Sequence, residues 1–251
     1  MPSQWSDIRE SYEQDGFVIV RQFLAGAELE SLQIELERYI QDVAPLRPPG
    51  DAFYAEPGKP ETLKQLHRME LDSFFEAYQK SPRWTQLAEQ LLGEPVFSHG
   101  AEWFNKPPGG SSATPPHQDN YYFCLTPPKV LTMWLALDEI DEENGCLRYL
   151  PGSHRPGVRL HTATQTSGFS QGISDYSAEE IQQEVLACAC PGDLLVHHGN
   201  TIHRADINRS STRHRRSFAM VFQAVSCQRD EAAFDRYASQ QKRQQHQLGL
   251  V

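Results

Sequence analysis

Hydrophobic positions along this chain recur with a helical period at first and with a strand period later, and the change comes near residue 95. In 25–41, Leu29, Leu32, Ile34, Leu36 and Ile40 fall on one helical face. Stretches 71–78 and 82–92 repeat that pattern, and Gly93 is placed to stop the second helix. Ahead of these, Asp15-Gly16 is a turn that feeds the β-branched run Phe17-Val18-Ile19-Val20, which predicts a strand. Beyond residue 95 the pattern predicts strands over 96–104, 129–137, 145–150, 192–197 and 216–224. Asn144-Gly145 joins two of them and signals a hairpin turn. The Pro- and Gly-rich stretch 44–60 reads as a surface loop. The Ser-, Thr- and Gly-rich stretch 155–183 reads as a long loop of the lid kind. A polar, Gln-rich helix outside the core is expected over 230–247. Helices first and strands afterwards predict a β-sandwich or barrel with helices on one side.

Composition narrows this picture. At 251 residues with 39% hydrophobic content, one domain over 1–251 is expected. It divides into a helical N-terminal region of about 1–95, a β core of about 96–226 and the C-terminal helix of about 230–247. A net charge of -10 argues against nucleic acid and against anionic membrane as partners. The five arginines 204, 209, 213, 215 and 216 are the local exception, and one functional arginine among solvated neighbours is expected there. No basic stretch leads into an apolar run at the start, and no apolar run approaches the ~20 residues of a membrane span. A cytoplasmic protein is expected. The cysteines at 124, 146, 188, 190 and 227 form no C-x-x-C pair and read as reduced, buried residues.

The sharpest chemical feature is His117-Gln118-Asp119, with His203 far downstream. In extended chain, residues i and i+2 point the same way, so His117 and Asp119 converge while Gln118 faces elsewhere. Two imidazoles and a carboxylate on one face of an octahedron suit non-haem Fe(II) oxygenases. His197 and His198 compete with His203, but they belong to the preceding strand, where a core or supporting role is expected. The open metal positions call for a co-substrate such as a 2-oxo dicarboxylate. Its far carboxylate needs a bidentate arginine, for which Arg213, Arg215 and Arg216 are candidates.

Four stretches in order, SYEQDGFVIVRQFL, FNKPPGG with PPHQDNYYF, WLALDEIDEENGCLRYLPGSH and HHGNTIHRADINRSSTRHRRSFAMVF, resemble the phytanoyl-CoA dioxygenase family of Fe(II)/2-oxoglutarate enzymes. The resemblance covers most of the chain. It implies a double-stranded β-helix, the cupin-like jelly roll, flanked by helices. It also implies Fe(II) on His117, Asp119 and His203, 2-oxoglutarate as co-substrate and O2 as oxidant. The family's arginine falls at position 214, which is His here, so alignment on Phe222 selects Arg215 and keeps Arg213 in reserve. Ala205 replaces a serine that many members carry, which shifts carboxylate donors to Thr132 or Trp134 unless these merely pack in the sheet. Lys106 matches a family lysine that binds co-substrate or substrate unless it is solvated.

A carboxylate at Asp119, where related halogenases have a small residue, implies hydroxylation of a small molecule with release of succinate and CO2. Desaturation or epoxidation by the same chemistry, an O2-independent isomerase on the same barrel, and a jelly-roll binding protein without catalysis are the alternatives. His154 reads as structural rather than as a base. Arg155 and Arg159 are either solvated or receive an anionic substrate. Substrate identity and oligomeric state are not readable.

Overall fold

The computed structural model describes residues 2–48, 50–56, 59–109, 112–166 and 169–247. Gly110 of the FNKPPGG stretch and positions 167–168 of the expected lid lie outside the described residues. In chain order the first elements are α1 (Pro2–Asp15), β1 (Phe17–Val20), α2 (Ala27–Arg38), β2 (Ala52–Tyr54), β3 (Leu63–Leu66), α3 (Ser73–Gln79) and α4 (Pro82–Leu92). There follow β4 (Val96–Lys106), β5 (Thr114–His117), α5 (Asp119–Phe123), β6 (Leu125–Thr126), β7 (Val130–Ala136), β8 (Leu147–Tyr149), β9 (His161–Thr166) and β10 (Phe169–Ile173). The chain ends with α6 (Ala178–Gln182), β11 (Val185–Ala187), β12 (Leu194–His198), β13 (His203–Ala205), β14 (Arg215–Ala224), β15 (Gln228–Arg229) and α7 (Glu231–Gln247).

Two antiparallel sheets form the barrel. The larger has the order β1-β12-β7-β14-β4-β3-β2 and the smaller β11-β8-β13-β5. All seven residues of β7 are buried, because it lies mid-sheet with both faces covered. Alternation sends Leu131, Met133 and Leu135 of β7, with Phe218, Met220 and Phe222 of β14, to the outer face. There they meet the apolar stripe of α4, made by Trp84, Leu87, Ala88, Leu91 and Leu92. Fully burying one such side chain contributes roughly 1.5–3 kcal/mol. Helix α4 begins with Pro82 at its first turn and stops at Gly93, whose φ of 77° lies in the left-handed region. Thr132, Trp134 and Ala136 face the other way, into the barrel, as do Ser217 and Ala219. Trp134, Ala136 and Ala219 meet Leu147, Tyr149 and Ala205 of the smaller sheet in a second core. The result is the double-stranded β-helix architecture with helices on one side.

Several expectations are corrected. The N-terminal region holds more strand than expected: beside the anticipated β1, which pairs with β12, β2 and β3 extend the larger sheet past β4. Part of the expected loop 44–60 is therefore the edge strand β2. The expected lid contains the hairpin β9–β10 and the capped helix α6 rather than irregular chain. Cys188 and Cys190 are exposed, while Cys124, Cys146 and Cys227 are buried. Asn144-Gly145 makes a turn but no hairpin, because β7 and β8 belong to opposed sheets.

That turn is held by the buried Asn144 side chain. Its Nδ2 donates to the carbonyls of Glu139 at 2.7 Å and His214 at 3.2 Å, and its Oδ1 accepts from the Asp141 N–H at 2.8 Å. Gly145 has φ +85°, and a Cβ there would meet the Asp206 carbonyl at 2.7 Å. Asn144→Ala leaves these buried groups unpaired and is expected to lower stability by roughly 1–3 kcal/mol, measured by urea unfolding.

Candidate active site

The site lies between the two sheets, where β5 and β13 run side by side. His117 ends β5 and His203 starts β13, and the two are register partners across the antiparallel pair. Opposed residues hold their Cβ atoms about 5 Å apart, and here the imidazole centroids are 4.1 Å apart. Gln118 is extended, with φ -127° and ψ 127°, so Asp119 returns to the side of His117 even though it opens helix α5 rather than continuing a strand. Gln118 points away and stitches three segments together. Its amide donates to the carbonyls of Gly157 and Asn200, and its Oε1 accepts from the Arg159 N–H.

Both imidazoles are oriented by the chain two residues before them. His117 Nδ1 donates to the Pro115 carbonyl at 2.8 Å, and His203 Nδ1 to the Thr201 carbonyl at 3.0 Å. With the proton on Nδ1, the lone pair of each Nε2 is turned into the cavity. Asp119 Oδ1 lies 3.5 Å from His117 Nε2 and 3.6 Å from His203 Nε2. One ligand atom from each of His117, Asp119 and His203 lies within 4.8 Å of the others. Burial, together with the neighbouring His117 and His197, holds His203 well below the usual histidine range, and so neutral. Burial works against ionisation of Asp119, but the surrounding imidazoles of His203, His117 and His197 outweigh it and hold the carboxyl well below its usual range. Three lone-pair donors thus converge, a set suited to a divalent cation.

The same cavity, of about 290 Å³, is lined by Lys106, Thr132, Trp134, His197 and Arg215. Arg215 and Lys106 are register partners on β14 and β4 and face inward together. Both are buried, and among the described residues no carboxylate lies within ion-pair distance of either. Among the described residues Arg215 Nε has no hydrogen-bond partner, and its guanidinium lies 5.3 Å from the Trp134 ring centroid. Burial pushes Arg215 down to about 10. Burial and then the Arg215 charge hold Lys106 well below the lysine range. Two like charges placed opposite each other indoors are unfavourable unless an anion joins them.

The other expected residues separate clearly. Arg213 faces outward and is bound to Asp141 and Glu143, so it is withdrawn as the reserve arginine. Arg204 pairs with Glu184 and Asp206, Arg216 with Asp138, and Arg209 donates to the Glu142 carbonyl. Arg155 donates to the Gln14 carbonyl and Arg159 pairs with Asp175 and Glu180, so neither waits for an anionic substrate. Lys106 is buried, not solvated. The Thr132 hydroxyl donates to Asp119 Oδ2 at 2.6 Å. Ala205 is fully buried in the second core. His154 lies tilted against His198, 5.4 Å between centroids, and does not line the cavity. Sequence reasoning passed over Tyr149 and ranked His197 low. The signal was the alternation of β12, which puts His197 in phase with the inward Leu195 and His198 out of it.

The profile of the phytanoyl-CoA dioxygenase (PhyH) family matches residues 12–217, a span that contains His117, Asp119, His203, Lys106 and Arg215. The chain belongs to this family. The peroxisomal phytanoyl-CoA dioxygenase of Rattus norvegicus is 25% identical over 218 residues, covering 80% of this chain and 63% of its own length. The phytanoyl-CoA dioxygenase of Arabidopsis thaliana is 31% identical over 180 residues, covering 67% of this chain and 62% of its own. The chain thus spans a little under two thirds of either relative. The crystal structure of EvdO2 from Micromonospora carbonacea var. aurantiaca complexed with 2-oxoglutarate superposes with a TM-score of 0.69 at 26% identity, covering 87% of this chain and 90% of that one. This member of the phytanoyl-CoA dioxygenase family has Arg215 and Lys106 in the cavity wall and an alanine at 205.

Removing the carboxylate takes away one of three convergent donors. Asp119→Ala is expected to weaken binding of Mn(II) or Co(II) by about ten- to a hundredfold, read by calorimetry.

Proposed function

We propose that this chain is an Fe(II)- and 2-oxoglutarate-dependent dioxygenase that hydroxylates a small molecule and releases succinate and CO2. One observation carries the reading: a cluster of lone-pair donors shares one cavity with two buried cations that have no carboxylate partner among the described residues. His117, Asp119 and His203 would hold the ion. Arg215 and Lys106 would take the far carboxylate of the co-substrate, with the Trp134 ring backing the guanidinium. The iron, when bound, supplies the redox chemistry that couples O2 and the 2-oxo acid to oxidation of the substrate. The protein orients the ligands through Pro115 and Thr201, excludes water by burial and leaves one wall for the substrate.

That wall consists of Phe104, Tyr122 and Phe123 with the His67–Glu102 pair at 2.5 Å. It is largely apolar with one polar corner, as small-molecule sites are. The 2-oxoglutarate complex of EvdO2 supports the choice of co-substrate. A cytoplasmic setting and independence of nucleic acid and membrane belong to the same proposal, supported by the net charge of -10 and the free thiols. No helix among the described residues is long and apolar enough to cross a membrane.

The direct test is succinate release with O2 consumption in the presence of Fe(II) and 2-oxoglutarate, across a panel of small acids, thioesters and amino acids. Turnover without O2 or without 2-oxoglutarate would overturn the proposal. Arg215→Ala is expected to raise the 2-oxoglutarate requirement about ten- to a hundredfold, as for loss of a charged hydrogen bond. Arg213→Ala should change it little, and steady-state kinetics separates the two. A bound dicarboxylate favours the charged form of Lys106, whose pKa is depressed in the empty site. Binding therefore takes up a proton once pH exceeds that depressed value, and 2-oxoglutarate affinity is expected to fall as pH rises through it. Calorimetry across pH should show this slope in the native protein and a flatter one in Lys106→Met.

A further inference from the structure

Asp119 treats its two oxygens differently. Oδ1 faces the Nε2 atoms of His117 and His203 at 3.5 and 3.6 Å. Oδ2 is turned back into the larger sheet, where it accepts from Thr132 Oγ1 at 2.6 Å and from His197 Nε2 at 3.0 Å. His197 is committed to donating from Nε2, because its Nδ1 lies 3.0 Å from the Tyr149 hydroxyl and accepts that proton. Tyr149 and His197 are 0% and 1% exposed, so no water competes for these bonds. Thr132 and His197 are register partners on β7 and β12, which fixes both donors on one rigid stretch of sheet. Tyr149 sits opposite His203 on β8, and Phe17 stacks on it at 4.5 Å.

We propose that Thr132 and His197 are positioning residues that hold Asp119 as a one-oxygen ligand, with Tyr149 setting the imidazole tautomer that makes this possible. The proposal rests on His117, Asp119 and His203 being the metal ligands. Its consequence lies in counting positions. Three protein atoms and a chelating 2-oxo acid would occupy five positions on a six-coordinate ion and leave one for the third reactant. A carboxylate free to turn could bind through both oxygens and fill that site or displace one arm of the co-substrate. Two donors on Oδ2 prevent the turn, since rotation would leave a buried hydroxyl and a buried N–H unpaired at a cost of about 1–3 kcal/mol each.

The test uses the full chain loaded with Co(II), whose visible absorption reports coordination number without turnover. Thr132→Val keeps the side-chain shape and removes the donor, and Thr132→Ser keeps it. His197→Phe removes the second donor, and His197→Gln retains an amide N–H. Thr132→Val and His197→Phe are expected to shift the Co(II) spectrum toward higher coordination. They should also weaken 2-oxoglutarate binding to the Co(II) form about tenfold, with Ser and Gln restoring both. A Thr132→Val, His197→Phe double variant with the native spectrum and native 2-oxoglutarate affinity would overturn the proposal. If His197→Phe fails to fold, the near-isosteric Thr132→Val against Thr132→Ser decides alone. Should Asp119→Ala bind Co(II) as the native chain does, the ligand assignment fails instead, and that result is distinct from the others.

Discussion

Everything at this site depends on β13 lying beside β5 with His203 directly across from His117. A slip of one residue in that pairing would turn one imidazole to the opposite face of the smaller sheet and dissolve the cluster. The register is secured from several sides. β8 runs along the other edge of β13, placing Tyr149 against His203, and the small side chain of Ala205 lets the second core close over the strand. Gln118 anchors the end of β5 to the chain at Gly157, Arg159 and Asn200. The ligand geometry is a property of the sheet rather than of a flexible loop, which suits a site that must hold its donors ready before the ion arrives.

The barrel also sorts charge along its length. At one end Asp119 provides the carboxylate beside the imidazoles of His117 and His203. At the other, Lys106 and Arg215 face each other with no acid between them among the described residues. The neighbouring arginines on the outside are satisfied by Asp138, Asp141, Glu143, Glu184 and Asp206. A dianion reaching from one end to the other would complete both halves and offset the cost of holding the two cations indoors.

Much of this was legible in the sequence where local pattern decides the outcome. Helix α4 shows its stripe, its proline start and its glycine stop, and the strands β7, β12 and β14 show their apolar runs. The H-x-D spacing was readable too, and alignment with the family on Phe222 picked Arg215 over Arg213. What escaped depends on distant pairing. The turn at Asn144 carries a hairpin signature, yet the strands it joins lie in opposed sheets, and nothing within a few residues says so. Hairpin β9–β10 hid because its inward positions His161 and Gln171 are polar and buried, so no hydrophobic period marks it. Thr132 was visible as a candidate, but its proton goes to Asp119, a contact between residues brought together only by the fold.

The pairing of β5 with β13 has one more consequence. An ion seated on His117 and His203 would tie together two strands that are distant in the chain, and so close a long loop that the unfolded chain leaves open. The metal would then act as a removable rivet, and the barrel's resistance to heat would track the concentration of free ion through mass action. A chelator would loosen the scaffold itself, starting at the smaller sheet.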